Sequence, residues 1–286
     1  MNENLENKVC LITGATNGIG LESARALNKM GAEIVFIARN LDKAEKLKEE
    51  LFQDSGRTAT SIIADLSLQD EVKKAANEFL SLNKPLDILL NNAGIMNRER
   101  KETAEGFEEV FSVNHLAYFT LTLMLIGAMK NAGGGRIVNV ASMAYRFVSE
   151  MNFDDLQSKA NYKGLKVYGQ SKLANILFTR SLASKVKDND ITVNCLHPGY
   201  VDTGIGLNNK GFFVRLLMNM GRPFAKKTDK GAETSIYLCA SPKLEQVTGE
   251  YFVDCEVEEL LGAAKSEEQA QKLWSISSEL TGLDLN

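Results

Sequence analysis

Tyr168 and Lys172 stand four residues apart in a stretch with helical patterning, so their side chains share one face. A phenol with an ordinary pKa of about 10 exchanges protons poorly at neutral pH. A nearby ammonium favours the phenolate, and lowering the pKa by about 2–3 pH units takes roughly 3–4 kcal/mol. Such a pair alone is more often structural than catalytic. Ser142 ends the apolar run RIVNVAS, where ligands of a parallel sheet collect, and its hydroxyl can donate to a substrate oxygen. Asn114 interrupts the apolar pattern FSVNHLAYF, either as a buried packing residue or as the holder of a water.

A second constellation suits a phosphate. Thr13-Gly14-Ala15-Thr16-Asn17-Gly18-Ile19-Gly20 follows an apolar strand and opens a helix. Gly14 permits the tight turn, Gly18 lets backbone approach a pyrophosphate, and Gly20 allows close packing of the helix, whose first amides face an anion. The spacing is one residue longer than the usual dinucleotide fingerprint. After the next strand comes Arg39-Asn40 rather than an acid, so NADPH is favoured over NADH: a guanidinium can pair with the 2′-phosphate. Asp65 follows the third strand and either accepts from the adenine amine or caps the next helix. Asn91-Asn92-Ala93-Gly94 ends the fourth strand, as a turn or as a floor beneath adenosine and ribose.

Alternating elements must position these groups. Short apolar strands are expected at Lys8–Thr13, Glu33–Ala38, Thr58–Ala64, Leu86–Leu90, Arg136–Ser142, Ile191–Leu196 and Glu250–Val253. Helices are expected at Gly18–Met30, over the KAEKLKEELF run capped by Asn40 or Asp42, and at Leu68–Leu82, Glu108–Met129, Tyr168–Lys187, Thr228–Cys239 and Ser266–Leu280. The fold class is therefore α/β, a doubly wound, mostly parallel sheet of about seven strands with helices on both faces, in one domain. The apolar segment at about 200–227 lacks clean boundaries and reads as a cover over a pocket.

The 286 residues are ample for one large core. A formal charge of -4 gives no basic face for a phosphate backbone, so nucleic acid is not an expected partner. Cys10, Cys195, Cys239 and Cys255 have neither zinc spacing nor disulfide density, and His115 and His197 are too few and too separated for a zinc site, so no metal is expected. His197 reads as a packing or hydrogen-bonding residue. The N-terminus is polar and no apolar run approaches about 18 residues, so neither a signal peptide nor a membrane span is expected and the location reads as cytoplasmic.

These motifs in this order resemble the short-chain dehydrogenase/reductase family across nearly the whole chain. The matches are Thr13-Gly14-x3-Gly18-Ile19-Gly20, Asn91-Asn92-Ala93-Gly94, Asn114, Ser142, Tyr168-x3-Lys172 and Pro198-Gly199. Asn152-Phe153-Asp154-Asp155-Leu156, YGQSKLANILF, LHPG, TGEYFVDC and Leu273-Trp274 are similar to its retinol-dehydrogenase-like branch. Twenty-six positions separate Ser142 from Tyr168, about twice the simplest family spacing, and the branch shares that extension. Many members of the branch carry an N-terminal membrane anchor, whereas this chain opens on a short polar lead.

The resemblance implies a Rossmann-type fold and a division of labour. Tyr168 would be the general acid in carbonyl reduction and the base in alcohol oxidation; Lys172 would lower its pKa and contact the nicotinamide ribose. Ser142 would hold and polarise the substrate oxygen, and Asn114 would anchor a water that completes a proton relay. The cofactor would meet Gly14, Thr16, Asn17, Gly18, Ile19, Gly20, Arg39, Asn40, Asp65, Leu66, Asn92, Ala93, Gly94, Tyr168, Lys172, Pro198, Gly199, Val201 and Thr203. Homodimers or homotetramers are expected, through the long helices containing Asn114 and Tyr168.

The function expected is NADP(H)-dependent hydride transfer to or from a lipophilic aldehyde, ketone or alcohol, with Phe147, Phe153, Phe212, Phe213 and Met218 as candidate pocket residues. Two alternatives stand beside it. One is an NADPH-dependent reductase of activated carbon–carbon double bonds, separable by its saturated product. The other is a nucleotide-binding regulatory or scaffold protein without turnover.

Overall fold

The computed structural model describes residues 3–199 and 228–285. β1 (Val9–Thr13), β2 (Glu33–Ala38), β3 (Thr60–Ile63), β4 (Ile88–Asn91), β5 (Gly135–Val140), β6 (Ile191–His197), β7 (Tyr251–Val253) and β8 (Glu256–Val257) form one sheet in the order β3-β2-β1-β4-β5-β6-β7-β8. Seven of these lie where strands were expected. The eighth is a two-residue antiparallel addition to β7, and all other pairings are parallel. So short a strand, turned back through Asp254 and Cys255 at positive φ, leaves no periodicity in the sequence.

The strands are apolar on both sides because both sides are covered. Val9 and Leu11 of β1 join one core cluster, and Cys10 and Ile12 join the other, as the two-residue pleat requires. On the second side lie α1 (Gly18–Lys29), α2 (Leu41–Ser55) and α6 (Thr228–Ala240), which contribute Ala24, Leu27, Ala44, Leu47 and Leu238. The first side holds α3 (Gln69–Ser81), α4 (Glu109–Asn131), α5 (Gly164–Lys185) and α7 (Glu267–Thr281).

α4 is long and apolar enough by composition to cross a bilayer, but it is almost entirely buried inside this fold. Every residue of α5 from Ser171 to Thr179 is buried too. Two helices buried on all sides need an outer layer, and α7 supplies it. Trp274 stacks on Phe178 at 5.9 Å between ring centroids and meets Phe119 edge-on at 5.0 Å. α7 thus lies against the α4–α5 pair through which self-association was expected.

Candidate active site

The chain runs from β1 outward to β3 and then returns to β4 on the other side of β1, so the strand order reverses between β1 and β4. A crevice opens at the carboxyl ends of strands on either side of such a reversal. The two sequence motifs that meet there are stitched together. Thr13 Oγ1 accepts from the backbone N–H of Asn92 (2.9 Å) and of Ala93 (3.0 Å). Asn92 Nδ2 donates to the carbonyls of Thr13 (2.9 Å) and Gly14 (3.3 Å).

This stitching explains the glycines. Gly14 and Gly18 have φ of 69° and 58°, the left-handed region that glycine enters without strain. A Cβ at Gly20 would strike Asn92 Nδ2 and the Gly14 carbonyl, so its packing is against the turn itself. Thr16 and Gly18 are half-buried, Ile19 is buried, and Asn17 is the exposed N-cap of α1, with no side-chain hydrogen bond to the helix. The amides of the first turn therefore remain available to an anion. The cradle fits a pyrophosphate.

Arg39 and Asp65 come together at the ends of β2 and β3, with Nη1 and Oδ2 3.9 Å apart. Arg39 is 75% exposed and so can turn toward a ligand. Asp65 also accepts from the Ser67 N–H at 3.0 Å in the turn before α3, whose N-cap is Leu68 and whose first amides go to Glu105, so Asp65 is not its cap; its second oxygen faces the guanidinium. Leu66 packs against the core beside it. Asn40 fills the capping role expected of it: its Oδ1 accepts from the Lys43 N–H at 2.9 Å at the start of α2. Pro198 and Gly199 follow β6 at the same end of the sheet, Gly199 with φ of 81°. Val201, Thr203, Phe212, Phe213, Met218 and the expected cover at 200–227 lie outside the described residues.

The reactive groups gather at the ends of β4 and β5. Ser142 follows β5 and heads a short 3-10 turn, its Oγ accepting from the Ala144 N–H at 3.2 Å. Its hydroxyl also stands close enough to Tyr168 to pull that phenol's pKa down. Lys172 is 2% exposed; its Nζ donates to the Val140 carbonyl at 2.9 Å and lies 5.5 Å from the centre of the Tyr168 ring. Burial raises the Tyr168 pKa to about 12 against the opposing pull of Ser142, and burial lowers Lys172 to about 7. The expected lowering of the tyrosine by the lysine is thus reversed here. Burial sets both directions, and the Lys172 ammonium donates to the Val140 carbonyl. At neutral pH the phenol keeps its proton, which suits a proton donor.

Asn114 lies in a π-helical stretch of α4, Ser112–Leu116, between ordinary helical turns. This wider turn carries an amide at a functional site, a frequent use of such bulges. Oδ1 accepts from the Ile95 N–H at 2.8 Å, and Nδ2 donates to the Ile95 carbonyl (2.9 Å) and Ser171 Oγ (3.0 Å). The side chain is therefore a clamp on the segment after Gly94, and its Oδ1 keeps a second lone pair with which to accept from the expected water. Gly94 fits between: a Cβ there would lie 3.4 Å from Lys172 Nζ and 3.5 Å from Asn114 Oδ1.

Sequence reading overlooked Tyr118, Ser171 and Asn175. Tyr118 donates to the Ala93 carbonyl at 2.8 Å, and its ring centre is 6.0 Å from Lys172 Nζ, so the ammonium sits between two tyrosine rings. Its position four after Asn114 is the same spacing that singled out Lys172 after Tyr168. Phe153 is no pocket residue; it packs on the third core cluster, with Lys272 Nζ 4.6 Å from its ring centre. Phe147 and Met143 do lie exposed just after Ser142. Cys10, Cys195 and Cys239 are buried thiols and Cys255 is half-buried; among the described residues no three His, Cys, Asp or Glu side chains gather.

Comparison with known proteins agrees with this geometry. The short chain dehydrogenase family model matches residues 8–210. Retinol dehydrogenase 14 of Mus musculus is 40% identical over 292 residues, covering 98% of this chain and 87% of the relative. Retinol dehydrogenase 12 of Homo sapiens is 37% identical over 284 residues, with 99% and 89% covered. Among solved structures, an uncharacterized protein from Mycobacterium paratuberculosis superposes with a TM-score of 0.79 at 25% identity, covering 99% of this chain and 97% of that one. The L-sorbose reductase of Gluconobacter frateurii, complexed with NADPH and L-sorbose, gives a TM-score of 0.71 at 25% identity, with 93% and 100% covered.

Proposed function

The chain belongs to the short-chain dehydrogenase/reductase family, and we propose that it is an NADPH-preferring oxidoreductase acting on a lipophilic aldehyde, ketone or alcohol. The observation that carries this reading is the convergence of Tyr168, Ser142 and Lys172 on the sheet end that also holds the Gly14–Gly20 cradle. When bound, the dinucleotide supplies the hydride at its nicotinamide ring. Gly14, Gly18 and the first amides of α1 hold its pyrophosphate, and Arg39 pairs with the 2′-phosphate.

The remaining work belongs to the side chains. Ser142 holds the substrate oxygen by donating its hydroxyl proton. Tyr168, kept protonated by burial, delivers its proton to that oxygen as negative charge builds there, and it takes the proton back in the oxidative direction. Lys172 steadies the phenolate so formed. Asn114 and Tyr118 hold the 93–95 segment in place. The exposed Phe147 and Met143 beside Ser142, with the similarity to retinol dehydrogenases, support a lipophilic substrate.

The test is NADPH and NADH consumption, side by side, with retinal, medium-chain and aromatic aldehydes and an enone. Aldehyde reduction that prefers NADPH and vanishes in Tyr168→Phe, while NADPH still binds, is the expected result. Normal NADPH binding without turnover on any carbonyl, or saturation of the enone with its carbonyl intact, would overturn the assignment.

A further inference from the structure

The π-helical turn of α4 holds a second polar residue that the reaction does not use. Ser112 is fully buried; its Oγ donates to the Ser67 carbonyl at 2.8 Å and accepts from Gln69 Nε2 at 3.2 Å. Gln69 opens α3, and its Oε1 accepts in turn from Thr120 Oγ1 of α4 at 2.7 Å. Ser67, Gln69 and Thr120 are buried as well. A chain of hydrogen bonds therefore runs inside the protein from α4 to the turn that joins β3 to α3.

Its direction follows from donor and acceptor rules. The Ser67 carbonyl can only accept, so the single Ser112 proton points there and a lone pair is left for the Gln69 amide. The amide must then turn its NH2 to Ser112 and its oxygen to Thr120, whose hydroxyl supplies the last proton. A flipped amide would set its oxygen against a hydroxyl oxygen whose only proton is already given. What the chain grips is the peptide between Ser67 and Leu68. Ser112 holds the carbonyl of that peptide, and its N–H donates to the Asp65 carbonyl at 3.1 Å. Asp65 Oδ1 takes the Ser67 N–H at 3.0 Å, so both the backbone and the carboxylate of Asp65 are tied to this turn. The other carboxylate oxygen stands 3.9 Å from Arg39 Nη1.

We propose that Ser112 is a positioning residue for the adenosine end of the cofactor: its hydroxyl fixes the 65–68 turn and, through it, the Asp65 carboxylate beside Arg39. Ser112 and Asn114, two positions apart in one wide turn, thereby fasten the segments that follow β3 and β4, on the adenosine side and the reactive side of the same crevice. Without the hydroxyl, the Ser67 carbonyl loses its donor at a buried residue, and an unsatisfied carbonyl there is costly. The peptide then turns toward another partner and takes Asp65 with it. This inference rests on the NADPH reading; the hydrogen-bond chain does not.

The test is calorimetric titration of the full-length protein with adenosine 2′,5′-bisphosphate, which carries adenine and the 2′-phosphate and no nicotinamide. Ser112→Ala should weaken its binding about tenfold. Thr120→Val keeps the shape and removes the donor at the far end of the same chain; it should also melt lower, yet bind within about twofold of wild type. In an Asp65→Ala background, Ser112→Ala should add less than about twofold, because the group it acts through is gone. With an aldehyde substrate, KM for NADPH should rise about tenfold in Ser112→Ala while kcat stays within about twofold. Should the alanine variant not fold, Ser112→Cys fills similar space with a weaker donor and should weaken the bisphosphate about threefold. Wild-type affinity in the Ser112 variant, affinity that follows melting temperature in Thr120→Val too, full additivity with Asp65→Ala, or a kcat that falls tenfold refutes positioning and leaves the NADPH reading standing. A wild type that does not bind the bisphosphate overturns the NADPH reading and this proposal with it.

Discussion

Replacing Lys172 by methionine should stabilise the folded protein near neutral pH even as it removes turnover. Methionine fills nearly the same volume and carries no charge into a site that is 2% exposed. Burial takes the lysine from its ordinary 10.5 to about 7. Between those two values the unfolded chain holds a proton that the folded chain has released, so wild-type stability rises with pH across that window. The slope is at most about 1.4 kcal/mol per pH unit, and the whole window amounts to about 5 kcal/mol. Below pH 7 the lysine is charged in both states and the full penalty persists. The variant gives up one hydrogen bond to the Val140 carbonyl, about 1–2 kcal/mol, yet that carbonyl keeps Asn175 as a donor. The balance favours methionine by about 2–4 kcal/mol at pH 6. Urea unfolding of both proteins at pH 6, 7, 8 and 9, followed by circular dichroism, reads the difference directly, because every other titrating group is common to the two. The gap should close by about 2 kcal/mol between pH 7 and 9. A gap that stays constant within about 0.5 kcal/mol, or widens with pH, would refute the placement of a charge-penalised lysine here.

Four further outcomes follow from the geometry. Arg39→Ala should weaken NADPH binding about 10- to 100-fold and leave NADH nearly unchanged, read by cofactor fluorescence, since the guanidinium is exposed and paired only loosely with Asp65. Gly20→Ala, which in most helices adds about 0.5–1 kcal/mol of stability, should instead lose about 1–3 kcal/mol and abolish NADPH binding, because its methyl collides with the Gly14 carbonyl and Asn92; a more stable, fully binding variant would contradict the stitched turn. Gly94→Ala meets Lys172 and Asn114 at ordinary contact distance, so it should fold with stability within about 1 kcal/mol of wild type while kcat drops about tenfold. Trp274→Ala should cost about 3–5 kcal/mol and make sedimentation depend on concentration, as the face of α4 and α5 that α7 covers is loosened.

Much of this site is written in short-range patterns. The Gly14–Gly20 turn is legible because left-handed backbone and close approach both demand glycine, and the strand before it and helix after it have their own periodicities. Tyr168 and Lys172 are legible because four residues is one helical turn. The mostly parallel sheet with helices on both faces also follows from alternation, while its strand order came from the structure. Asn40 is legible as a cap for the same reason: an asparagine just before a helical run can accept from its first amides, as the hydrogen bond from Lys43 shows.

What needed the tertiary structure concerns contacts between distant segments. No local pattern says that Asn114 spends its amide on Ile95 and Ser171, or that Lys172 turns to the Val140 carbonyl between two tyrosine rings. The direction of the Tyr168 and Lys172 pKa values is likewise set by how deeply the fold buries them, and spacing along a helix carries no measure of depth. The sequence left the partners of α4 open; only the packed chain shows α7 laid across it, with Ser277 reaching His115 from 162 residues away. Residue types and their periods along the chain determine which elements form and which groups are chemically able to act. Burial and the meeting of those groups arise from long-range packing, so the acid, the buried lysine and their supports were decided by the fold.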